Sequence, residues 1–112
     1  MATADDVRRI AFALPEVEEK LAWGQPTLRV RGKIFASLSD DEESMGFRFP
    51  RDEREEMLAA EPDKFFVIRG HDDRFNWLRA RLPAIDEDEL REIVVDAWRS
   101  AAPKRLAASY EP

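Results

Sequence analysis

The run TLRVRGKIFASLS (27–39) switches between apolar and polar at almost every step, with Gly32 near its middle. A period of two places successive side chains on opposite sides of a strand. A glycine between two such runs marks a tight turn. The spacing predicts a β-hairpin that turns at Gly32 and Lys33. Leu28 and Val30 lie on one side of its first strand, with Thr27, Arg29 and Arg31 on the other. In the returning strand Ile34, Ala36 and Leu38 alternate with Phe35 and Ser37. Hairpin-length connections commit a chain to an antiparallel sheet. The other segments must therefore extend that sheet or cover one of its faces.

They divide into both kinds. Thr3 and Asp6 form a capping box, and Val7, Ile10, Ala11 and Leu14 recur at helical spacing until Pro15 stops the helix. EVEEKLAWGQP reads as a link, with Gly24 and Pro26 as its punctuation. DDEE (40–43) is a solvated loop, and SMGFRFP is a third strand with Met45, Phe47 and Phe49 opposite Arg48. RDEREEMLAAEP is a short helix ending before Pro62. KFFVIRG is a fourth strand, HDDRFN a turn and WLRARL a fifth strand. In that fifth strand Leu78, Ala80 and Leu82 oppose Trp77, Arg79 and Arg81. Asp86, with Glu89 three residues on, caps a last helix striped by Leu90, Ile93, Val94, Ala97 and Trp98, which AAPKRL ends. The expected fold class is α+β: one domain over 1–112, a two-layer sandwich with an antiparallel sheet of about five strands. The N- and C-terminal helices lie on one face of that sheet, and the other face is left to water.

The charges are sorted along this outline. Residues 21–38, 47–51 and 64–82 hold ten Lys and Arg against two acids, a surplus of eight. The rest holds eight against 22, a deficit of fourteen, giving the overall −6. Nineteen consecutive residues, 21–39, contain no acid at all. Strand alternation gathers Arg29, Arg31, Arg48, Arg79 and Arg81 on the open face, with Lys33 at the turn and Trp77 and Phe35 among them. Arginine takes phosphate in a bidentate grip, and exposed rings stack on bases. The same arginines also serve as plain edge protection and solvation.

Other chemistries find little footing. With no cysteine, disulfides and thiolate sites are excluded, and a reducing cytoplasmic setting fits. No apolar run reaches membrane-spanning length. His71 in GHDDRFN has no further residues at metal-ligand spacing and reads as a turn histidine, so no metal or cofactor is expected. No nucleophile–histidine–acid motif and no glycine-rich phosphate loop is present, so the expectation is a non-enzymatic protein, a monomer with DNA as its partner. An alternative is a small-molecule or protein-interaction pocket around Trp23, Gly24 and Pro26.

Three segments in order, LPEVEEKLAWGQPTLRVRGKIFASL, FFVIRGHDDRFNWLRARL and LREIVVDAWRSAAPKRL, resemble the MmcQ/YjbR family of small bacterial proteins. The marks are Leu14-Pro15, Trp23-Gly24, Pro26, Gly32-Lys33, Phe35-Ala36, Trp77, Ala97-Trp98 and Pro103-Lys104. The resemblance implies a CyaY-like α+β fold. Its members are commonly described as DNA-binding, and no catalytic residue carries over. Where many relatives read HYxxYPW, this chain has HDDRFNW, with two acids at the turn. The CyaY-like fold also suggests an acidic, iron-binding helix surface of the frataxin kind, for which Asp5, Asp6 and EVEE would supply the acids.

Overall fold

The computed structural model describes residues 1–110. Helix α1 (Ala4–Phe12) starts on the expected capping box: the Thr3 hydroxyl accepts from the Asp6 amide, and the Asp6 carboxylate accepts from the Thr3 amide. Val7, Ile10 and Ala11 are buried along one face. Strands β1 (Val17–Ala22), β2 (Gln25–Val30), β3 (Lys33–Leu38) and β4 (Ser44–Arg48) follow as an antiparallel meander. Helix α2 (Arg51–Ala60), the short β5 (Phe65–Phe66), β6 (Trp77–Arg81), helix α3 (Glu87–Ala101) and helix α4 (Lys104–Ser109) complete the chain. The sheet order is β1-β2-β3-β4-β6-β5, so β6 inserts beside β4 and carries β5 on its outer side.

Helices α1 and α3 cover one face of this six-stranded antiparallel sheet, as the alternation implied. The core between the layers holds Leu28, Val30, Leu38, Met45, Leu78 and Ala80 from the sheet with Leu90, Val94 and Trp98 from α3. Trp98 is fully buried and donates its indole N–H to the Pro15 carbonyl at 3.1 Å, which joins the last long helix to the end of the first.

Several expectations need correction. EVEEKLAWGQP is not a link: 17–22 form the edge strand β1, in register with β2 from Val17↔Val30 to Ala22↔Gln25. Its burial pattern is exposed through the middle, so alternation of hydrophobicity gives no strand signal there. The β2–β3 turn is Arg31-Gly32, not Gly32-Lys33. Both turn residues have positive φ (51° and 83°), as do Trp23 and Gly24 (52° and 78°) between β1 and β2. Two-residue turns of this hand match the right-handed twist of the strands they join. Phe35 lies in the core, not on the open face, because the β2–β3 register shifts between Leu28↔Ala36 and Arg29↔Ile34. The extra residue moves Ile34 to the outer face. KFFVIRG contributes only two residues to the sheet, and the tail expected only to end α3 forms α4, whose Leu106 packs on the core.

Candidate functional site

The sheet face away from α1 and α3 is where the sequence placed its cations. Register shows which of them meet there. Arg29 pairs with Ile34 across β2–β3, the Arg48 guanidinium donates to the Ile34 carbonyl at 3.1 Å, and Arg48 pairs with Trp77 across β4–β6. Arg29, Ile34, Arg48 and Trp77 thus form one row over four adjacent strands, about 14 Å long at the usual strand spacing. All four are half-buried. Arg29 is braced by the Thr27 hydroxyl (3.1 Å), which itself donates to the Lys20 carbonyl at 2.6 Å. The oxygens that hold Arg29 and Arg48 are neutral, and each hydrogen bond limits the rotational freedom of its side chain.

Trp77 owes its place to Gly46. A Cβ built on Gly46 would stand 2.5–2.8 Å from three atoms of the indole. Only a residue without a side chain lets the ring settle on the β4 backbone. An isolated glycine inside a strand pattern is a signal of close approach, and this one was readable from SMGFRFP.

Three of the expected cations are committed elsewhere. Arg31 occupies the β2–β3 turn and grips the Glu16 carboxylate at 2.7 and 2.9 Å, which holds that acid below its ordinary pKa. Arg79 makes a bidentate pair with Asp72 at 2.7 and 3.1 Å. Arg81 donates to the Pro62 carbonyl, lies 4.5 Å over the Phe66 ring, and borders a shallow recess it shares with Asp41 and Glu43. Lys33 is exposed beside the turn.

Asp72 is the centre of the loop that covers part of this face. It has no exposed surface, and burial alone would raise its pKa. Hydrogen bonds from Arg79, the Ile68 amide and His71 outweigh this and bring the carboxyl down to about 2. The loop is also held from α2. Arg54 is 5% exposed and donates to the carbonyls of Asp72, Asp73, Phe75 and Trp77 at 3.0–3.4 Å. Sequence reading missed Arg54. The available signal was its spacing, three and four residues before Met57 and Leu58, on the inward stripe of α2. His71 is a turn histidine, as read: its ring is mostly exposed and its Nδ1 lies 2.9 Å from the Asp72 carboxylate.

The remaining candidates are dispersed. Trp23 is 93% exposed in the two-residue β1–β2 turn that it shares with Gly24. Pro26 sits in β2, paired only with β1, where a missing N–H leaves the β3 ladder intact. The acids of the frataxin-like reading have local partners: Asp5 and Glu19 face Arg8, Asp6 caps α1 and meets Arg9, Glu16 holds Arg31 and Glu18 faces Lys20. No group of three or more metal-ligating side chains is gathered among the described residues. No helix among them is long and apolar enough to cross a membrane.

These features define a small α+β sandwich with one helix-covered sheet face and one face bearing charged and aromatic side chains. The chain belongs to the YjbR family, whose model matches residues 12–100. It is 27% identical to an uncharacterized protein of Mycobacterium bovis and to uncharacterized proteins from two strains of Mycobacterium tuberculosis, each alignment covering 98% of this chain and 96% of the relative. The fold is shared with the crystal structure of Deinococcus radiodurans protein DR2400, of family-model domain DUF419, at a TM-score of 0.76. That match covers 89% of this chain and 78% of the other at 17% identity.

Proposed function

We propose that this chain is a non-enzymatic nucleic-acid-binding domain that takes a DNA strand across the outer face of the sheet. The observation that supports the reading is the row Arg29–Ile34–Arg48–Trp77: two cations without a carboxylate partner among the described residues, held in place by neutral groups, with an indole at the end. Lys33 extends it at the turn. Cations placed this way neutralise phosphates, and the ring offers a surface to an unpaired base. Arg31 and Arg79 drop out of the contact set because each already serves a carboxylate.

The test is fluorescence anisotropy of labelled single-stranded and duplex DNA at low and then moderate salt. The expected result is salt-sensitive binding with the single strand preferred. R29A/R48A should weaken it uniformly across sequences, and W77A should weaken the single strand selectively. Absence of binding at low salt, or unchanged affinity in R29A/R48A, would overturn the reading.

A further inference from the structure

At the Arg48 end of β4 a cleft of about 740 Å³ opens between that strand, α2 and α3. Its volume is that of an ordinary small-ligand site. The half-buried Phe49, Met57 and Ile93 make its apolar wall, and the exposed Glu53, Glu92 and Asp96 make its rim. Glu92 and Asp96 stand four residues apart on α3, below Glu89, so like charges stack along one helix face, an arrangement that costs helix stability. Lys64 answers Glu89 at 3.0 Å. Among the described residues no ion pair answers Glu53, Glu92 or Asp96. Among the described residues the lining holds one cation, Arg48, which sends its guanidinium to the Ile34 carbonyl.

We propose that this cleft binds a small organic cation with an aromatic or aliphatic body, such as an arylalkylammonium. The apolar wall takes the body, the Phe49 ring faces the charge, and the carboxylates of Glu92 and Asp96 receive the ammonium. A neutral or anionic molecule of the same shape gains only the apolar part and meets uncompensated negative charge. The carboxylates are spread along a rim rather than converging on a point, which suits an extended amphiphile better than a metal ion.

The experiment is an NMR titration of the isotope-labelled chain with 2-phenylethylammonium, 2-phenylethanol and 3-phenylpropionate. The cation should shift resonances of Phe49, Met57 and Ile93 saturably, with affinity at least tenfold above the alcohol and no response to the acid. E92Q/D96N replaces exposed groups, so it should keep the fold while losing most of the preference for the cation over the alcohol. Equal responses to cation and alcohol, shifts confined to other surfaces, or a preference unchanged in E92Q/D96N would overturn the proposal. The sheet-face variant R29A serves as the independent control: it lies outside the cleft and should leave the titration as it is.

Discussion

Asp72 has no accessible surface, yet it stays ionised to receive Arg79. Its carboxyl pKa falls to about 2 in the fold from an ordinary value of 3.8. A depressed folded pKa contributes stability that is present above the unfolded value and is lost as pH falls through the folded one. The pair should therefore contribute roughly 2 kcal/mol above about pH 4, a contribution that disappears between pH 4 and pH 2. Asp72→Asn should lower stability at pH 7 by about 3 kcal/mol, because Arg79 would be left half-buried without its counterion. Urea unfolding at pH 7, 4 and 2.5 checks both parts: the gap between wild type and variant should narrow as the pH drops. Sequence alone placed Arg79 on the outer face correctly and assigned it the wrong role. Alternation tells which side of a strand a residue takes. It does not tell that a loop seven residues upstream folds back with a carboxylate for it.

Trp23 is the bulkiest residue held in the left-handed region of this backbone, and it buries almost nothing in return. That conformation is costly for a large side chain and natural for asparagine before glycine. Trp23→Asn should therefore raise stability by about 0.5–1 kcal/mol in thermal unfolding, with the β1–β2 pairing intact. Elements with strong local signals were readable: α1 from its capping box, the 27–39 hairpin from its alternation, α3 from its cap and stripe. The strand β1 was not, because an edge strand exposed on both sides lacks the period-2 pattern. Its charges Glu18, Glu19 and Lys20 are the kind that discourage edge-to-edge association. Phe35 was assigned to the wrong face for a different reason. A one-residue register shift is a property of the pairing between β2 and β3, and neither strand shows it alone.

Across the whole molecule, the sorting of charge seen in the sequence becomes a sorting in space. On the outer sheet face Arg29 and Arg48 have neutral partners, and on the α2–α3 side no ion pair among the described residues answers Glu53, Glu92 or Asp96. At net −6 the protein should be retained by an anion exchanger at neutral pH. It should also be held by heparin at low salt through the sheet face. R29A/R48A should lose heparin retention while anion-exchange elution moves only by its two removed charges. Equal heparin retention in wild type and variant would show that the two faces do not act separately. The candidate row was legible in part. Arg29, Arg48 and Trp77 follow from alternation, whereas Ile34 joins them only through the register shift, and Arg31 leaves only because a turn starts one residue early.

The three indoles also differ in surroundings: Trp98 is sealed in the core, Trp23 stands in water, and Trp77 rests on Gly46 at the proposed contact row. Each environment has its own emission colour and its own access to a quencher. In the Trp23→Asn protein the solvent-exposed emitter is gone and the sealed one is beyond reach of iodide. What remains quenchable is a single fluorophore on the outer face, a label supplied by the chain itself and placed where a bound strand would shield it.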